Sequence, residues 1–184
     1  MRYSAKHKAE TRQKLIEKAG ALAKKEGFAT TGVDGLMATV GLTGGAFYSH
    51  FESKNALLLE IIKRELDVSQ KLLNQQLSNG NTESFLNMYL STLHLNLPEM
   101  GCAMPSLASE VARSDAIVKE AFEQGLVKTH GHLAAQLGDT QQAWAVISMA
   151  VGAVSLARAM KNPETQNALL GACKEFALKT TKKE

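Results

Sequence analysis

Several side chains in the N-terminal third share one chemistry. Thr31, Thr43, Tyr48, His50 and Lys54 each carry a hydrogen-bond donor of the kind that grips a phosphate oxygen. They surround the run Gly41-Leu42-Thr43-Gly44-Gly45-Ala46-Phe47-Tyr48-Ser49-His50-Phe51. Glycine costs a helix interior up to ~1 kcal/mol relative to alanine. A sequence accepts that cost more readily where its backbone must come close to another surface. The free N–H groups of a helix opening on Gly44 and Gly45 could meet a phosphate or enter the major groove of duplex DNA. Close packing of the same helix against a neighbour is the equal alternative. Phe47 and Phe51 are four apart, share one helix face, and read as core plugs rather than base-stackers.

Positioning these groups requires helices. Prolines stand only at 98, 105 and 163, alternating apolar and polar runs are absent, and apolar residues recur at helical spacing almost everywhere. The spacing predicts a first helix over about 8–26, stopped by Gly27, with Phe28 folding back onto it. Thr31 is the expected N-cap of a short second helix over about 32–40, and Thr43 that of a third over about 43–50. Ser53 caps a long fourth helix, with Leu57, Leu58, Ile61 and Ile62 inward and Lys63, Arg64 and Glu65 mostly wet. Beyond Gly80, helices are expected over about 82–97, 105–113, 115–137, 139–160 and 163–180. The expected fold class is all-α. A three-helix domain over 8–68, with its helix-turn-helix at 32–51, leads through the long fourth helix into a helical bundle over 69–184.

Bulk composition agrees. The 184 residues are 45% hydrophobic and 21% charged, values of a globular chain able to bury a core without staples. The only cysteines, Cys102 and Cys173, make a disulfide framework implausible and suit a reducing cytoplasm. No signal peptide is evident, and the most apolar run, 143–157, is shorter than the ~20 residues a membrane span needs. The formal net charge of +3 is uneven: residues 1–64 carry 11 Lys/Arg against 6 Asp/Glu, and the remainder 10 against 12. The basic half is where a polyanion would dock.

The residues from Gly27-Phe28 through Thr31, the Gly41-Leu42-Thr43 turn, Phe47-Tyr48-Ser49-His50-Phe51 and Ser53-Lys54-Asn55-Ala56-Leu57 resemble the signature of the TetR family of bacterial repressors. The resemblance covers about residues 8–68. It implies a homodimer whose last two helices form a four-helix interface, and a divergent C-terminal domain that binds a small inducer. It also implies residue roles. Thr31 would contact phosphate, and Thr43, Gly44 and Gly45 would lie deepest in the major groove. Tyr48, Ser49 and His50 would hold the DNA backbone, and Lys54 would pair with a phosphate. Glycine at both 44 and 45 departs from the family, which often places a longer polar or basic side chain at one of them. Some specificity would then come from Arg2, Lys6 and Lys8 in an N-terminal arm, or from DNA shape.

In the C-terminal half the reading returns to residues. A bundle pocket would be apolar with a few polar groups, and Tyr89, His94, Cys102, Met104 and Leu107 are candidates to line it. So are His130, Trp144 and Ser148, with Glu110 among further neighbours. Plain core packing is the alternative for each Met or Leu. Ala145, Gly152 and Ala153 on one helix and Leu169, Ala172 and Phe176 on the next would permit the close approach a dimer interface needs. Cys102 offers a second chemistry, because an exposed thiol near a helix N-terminus can be reactive. No metal-binding or catalytic motif occurs, and His130 and His132 fall on different helix faces.

These readings imply a cytoplasmic, non-enzymatic DNA-binding regulator with no cofactor and no membrane partner. Its expected partners are a double-stranded DNA operator, a second copy of the chain, and a small hydrophobic or amphipathic effector that releases it from a palindromic site. The alternative is redox or electrophile sensing through Cys102.

Overall fold

The computed structural model describes residues 5–79 and 81–181. Every regular element among them is helical. Helix α1 (Ala5–Glu26) buries Leu15, Ile16, Ala19 and Ala23 along one stripe and stops at Gly27, whose φ of 89° few other residues adopt. Helix α2 (Val33–Ala38) follows, then Gly41 at φ 73° turns the chain into a 3-10 helix over Gly44–Ser49. Helix α3 (Lys54–Asn79) is held at its start by the Ser53 hydroxyl, which accepts the Ala56 N–H at 3.0 Å.

Two expectations for the first domain are corrected. Thr31 is not the N-cap of α2: Gly32 occupies that position, and the Thr31 hydroxyl instead donates to the Gly27 carbonyl at 2.7 Å. The third helix is a 3-10 segment, and Thr43 stands before it without a side-chain cap. With glycines at both opening positions, the tighter 3-10 turn costs little relative to an α turn.

The expected helix over 82–97 is two helices, α4 (Thr82–Tyr89) and α5 (Thr92–Asn96). Between them the Ser91 hydroxyl accepts the His94 N–H at 3.1 Å and restarts the helix. A short 3-10 turn, Pro98–Met100, leads to α6 (Met104–Val111). Then come α7 (Ala116–Leu137), closed by Gly138 at φ 74°, α8 (Thr140–Arg158) and α9 (Pro163–Thr181). None of these helices is long and apolar enough to cross a membrane.

The apolar stripes form two cores. The first gathers α1, α2, the 3-10 helix, α3, α6 and the first half of α7 around residues such as Phe47, Ile61, Leu107 and Val118. The second lies among α4, α5, α7, α8 and α9, around Leu86, Leu133, Val154 and Leu170. Cys102, Leu126 and Val151 pack against both. Helices α3 and α7 cross at Gly125, where a Cβ would sit 2.5 Å from Leu66 Cδ1, and Gln70 donates to the Gly125 carbonyl at 3.0 Å. That crossing joins the long helix of the first unit to the bundle.

Candidate nucleic-acid interface and interior cavity

The 3-10 helix is anchored from below and open above. Phe47 is fully buried and Phe51 nearly so, their rings 5.8 Å apart, as expected of core plugs. Tyr48, between them in sequence, is 72% exposed. Thr43, Gly45 and Ser49 are exposed too, and the Ser49 hydroxyl donates to the Ala46 carbonyl at 2.7 Å. His50 is half-buried, with its Nδ1 buried and unpaired. Burial pulls its pKa below the ordinary value, and the nearby cations Lys8 and Arg12 lower it further. Lys54 reaches back to the α1–α2 loop, where its ammonium donates to the Ala29 carbonyl at 3.1 Å and lies 4.8 Å from the centre of the Phe28 ring. Lys6 and Lys8 are exposed on α1, whereas Arg2 lies outside the described residues.

The two adjacent glycines have different surroundings. A Cβ on Gly44 would collide with the Asp34 carboxylate of α2, whereas one on Gly45 would meet nothing within 4 Å. Gly44 is therefore accounted for by packing within the helix-turn-helix. Gly45 leaves bare backbone on the outer surface.

Behind this domain lies a cavity of about 280 Å³. Tyr89, His94, Cys102 and Met104 line it, together with groups from α3 and α8. The other pocket expectations are corrected. Leu107 is fully buried in the first core, and Ser148 points outward. His130 and Trp144 stack on each other, 4.0 Å apart and 12° from parallel, away from the cavity. Trp144 shares a helix face with Val151 but stands two turns nearer the start of α8, beside His130, whereas Ser148 is turned about 100° from Ile147 and is exposed.

His94 is held in one tautomer. Its Nδ1–H donates to the Tyr89 carbonyl at 2.7 Å, while its Nε2 accepts the Cys102 N–H at 3.1 Å. That is the neutral ring. Burial is the main reason its pKa falls below the usual value, and Arg158 and Lys24 push the same way, against the opposing hydrogen bond to Tyr89. Arg158 is occupied, donating to the carbonyls of Leu95 and His94 and to the Ser106 hydroxyl. The Tyr89 hydroxyl is buried without a hydrogen-bond partner. Burial and the neighbouring Cys102 thiol raise its pKa well above the usual phenol range.

Two features at this site were missed. Glu65, expected to be wet, is 4% exposed and receives the Lys24 ammonium at 2.6 Å. Lys24 also donates to the Gly101 carbonyl at 2.9 Å, and Arg64 meets the other oxygen of Glu65 at 2.6 Å. Glu110, read as a pocket neighbour, instead accepts the N–H groups of Phe28 and Ala29 at 2.8 and 2.9 Å. Both partnerships span long stretches of chain, so no local periodicity announces them.

On the outer face of α8 and α9, Ala145 and Ala172 are exposed, and so are Leu156 and Phe176 at 58% and 62%. A Cβ on Gly152 would enter open space. Leu169 is half-buried against the second core. Ala153 is 3% exposed within that core, which corrects its placement on an outer interface.

The fold and the exposed 3-10 segment define a helix-turn-helix domain carried on a helical body. Residues 15–61 match the family model described as bacterial regulatory proteins, tetR family. The chain is 37% identical over 60 residues to the uncharacterized HTH-type transcriptional regulator YerO of Bacillus subtilis, covering 33% of this chain and 21% of that protein. It is 24% identical over 110 residues to the HTH-type transcriptional repressor DhaR of a Mycobacterium species, covering 59% of this chain and 56% of that one. The matches thus span about a fifth and just over half of these relatives' lengths. The reduced form of NemR from E. coli has a similar fold, with a TM-score of 0.77 at 22% identity over 91% of this chain and 95% of that one.

Proposed function

We propose that the protein is a DNA-binding transcriptional repressor whose grip on a palindromic operator is released when a small molecule occupies the interior cavity. One observation carries the coupling: the cavity wall and the DNA-facing loop share α6. Met104, at the start of α6, lines the cavity, and Glu110, near its end, holds the loop between α1 and α2. A ligand that shifts α6 therefore moves the loop that carries Phe28, Ala29 and the Lys54 contact.

Tyr48, Thr43, Ser49 and the bare backbone at Gly45 face the DNA, with His50, Lys54 and Thr31 at the margin. In a homodimer built on the Ala145, Gly152, Ala172 and Phe176 face, two such segments would enter successive major grooves ~34–36 Å apart. The ligand acts only through its differential affinity for the two conformations.

The test is selection of bound fragments from random duplex DNA, followed by titration of the selected site against salt. A palindromic site and a steep loss of affinity with salt support the reading, as does weakened binding by Tyr48→Ala and Lys54→Ala. No selected sequence, or affinity indifferent to salt, refutes it.

A second reading rests on the Cys102 thiol, which lines the cavity beside Tyr89. Oxidation or alkylation there would replace the ligand as the trigger. Cys102→Ser separates the two: loss of response to peroxide with DNA binding intact favours the thiol, and an unchanged response excludes it.

A further inference from the structure

The charges on the cavity wall decide which ligands it admits. Among the described residues lining it, only Lys24 and Glu65 carry formal charge, and they face each other at 2.6 Å. Lys24 is further occupied by the Gly101 carbonyl, and Glu65 by Arg64. His94 is the neutral tautomer, its acceptor nitrogen filled by the Cys102 N–H. Arg158 stands behind His94, with its donors committed to Leu95, His94 and Ser106. No charge on the wall is left to pair with a charge on a ligand.

Most of the rest of the wall is hydrocarbon and thioether, including Leu72, Phe85, Met104, Ile147 and Val151. Its remaining polar side chains are uncharged: the hydroxyls of Ser69, Tyr89, Ser91 and Thr129 and the Cys102 thiol. The outer members Met88, Leu93 and Met100 are 40%, 68% and 76% exposed. These exposed apolar side chains give the outer rim of the cavity an adaptable apolar surface. A charged ligand placed inside would lose its hydration and gain no counterion, a large penalty in an apolar enclosure.

We propose that the cavity binds an uncharged, predominantly hydrocarbon molecule, and that the Lys24–Glu65 ion pair sets this selectivity by neutralising the only charges on the wall. The proposal rests on the reading of this cavity as the effector site and names the class of effector. It assigns a specificity-determining role to a pair that would otherwise count only toward folding. Opening the pair from either side should admit an ion of the sign removed. Glu65→Gln leaves the Lys24 ammonium without its carboxylate and favours an anion. Lys24→Met leaves Glu65 with Arg64 alone and favours a cation.

The test uses three probes on one ring system: 2-acetylnaphthalene (neutral), 2-naphthoate (anion) and 2-naphthylmethylammonium (cation). Binding to the full chain is measured by calorimetry without DNA. The native protein is expected to bind the neutral probe at least about tenfold more tightly than either ion, since even one poorly compensated buried charge exceeds that threshold. Glu65→Gln should shift the anion-to-neutral affinity ratio upward by about tenfold. Lys24→Met should shift the cation-to-neutral ratio in the same sense. Should one variant fail to fold, the other and the native series still decide. Equal or tighter binding of either ion by the native protein overturns the proposal, as does binding of none of the three. Unmoved ratios in the folded variants overturn the role of the pair. If the neutral probe binds but leaves a separately measured operator complex intact, the proposal stands and only the reading of ligand-triggered release falls.

Discussion

The Glu110 carboxylate on α6 accepts the backbone N–H of Phe28 at 2.8 Å, and its other oxygen accepts that of Ala29 at 2.9 Å. Phe28 and Ala29 open the turn after α1, outside the helical ladder, so their N–H groups need acceptors from elsewhere. A carboxylate supplied from another helix satisfies both and fixes the distance between α6 and the DNA-binding domain.

Removing this clamp should loosen the two units from each other. Hydrogen bonds to a charged group contribute about 1.5–3 kcal/mol when well formed, and this pair is partly exposed, so Glu110→Ala should cost about 1–2 kcal/mol. Denaturant unfolding measures the loss. Amide exchange at Phe28 and Ala29 should accelerate in the variant. Unchanged exchange there would show that the carboxylate does not hold the loop.

The buried pair Lys24–Glu65 makes a different prediction about stability. Both side chains are 5% exposed, so deleting one partner leaves the other desolvated. Glu65→Leu should destabilise by about 3–5 kcal/mol. Adding Lys24→Met should recover much of that loss, because an apolar pair of similar volume needs no counterion. A double-mutant cycle reads the coupling, and additive losses would contradict it.

The adjacent glycines can be separated by two alanine substitutions. Gly44→Ala forces the Asp34 carboxylate aside and should lower stability by about 1 kcal/mol, in line with mild overpacking. Asp34→Ala in the same chain should relieve that loss. Gly45→Ala enters open space, and Gly45 is not among the positive-φ glycines. It should leave stability unchanged or raise it by up to ~1 kcal/mol, while weakening operator binding where the added methyl meets DNA. Gel-shift titration beside thermal unfolding checks both. A Gly45→Ala protein that binds the operator as tightly as the parent would show that bare backbone at this position is not part of the interface.

Stability should fall with acid through His94. Its folded pKa lies below the ordinary value of 6.5, chiefly through burial. The unfolded chain therefore takes up the proton first, and stability drops as the pH falls from neutrality through 6.5 toward the lower folded value. Above that window the group contributes no pH dependence. Protonation would also place Nε2–H against the Cys102 N–H, removing one hydrogen bond. His94→Gln, which has no ionising ring, should show a shallower loss between pH 7 and pH 5 (a window of roughly one to two units around the ordinary value). His50 shifts in the same direction, so the difference between the two proteins, not the slope of either, isolates His94.

The sequence by itself determined the all-α class, most helix positions and the helix-turn-helix. Those features follow from local rules: apolar residues at helical spacing, Gly27 and Gly41 as stops, and Ser53 as a cap. It also separated buried Phe47 and Phe51 from exposed Tyr48, because residues four apart share a helix face and the residue after Phe47 is turned from it by about 100°. The break at Ser91 was less legible, since 82–97 reads as one helical stretch until the serine cap is seen to restart it. What only tertiary structure decided was partnership across distance. Lys24, Arg64 and Glu65 look like ordinary wet charges until α1 and α3 enclose two of them. Glu110 looks like a pocket group until α6 brings it to Phe28. Trp144 and Ser148 share a helix with Ile147 and Val151, and only the way α8 seats against its neighbours leaves the first two outside the cavity and puts the second two on its wall. Gly44 and Gly45 are alike in sequence as well. Asp34 of α2 stands over Gly44 and leaves Gly45 bare, because helix packing places a side chain over one of them and none over the other.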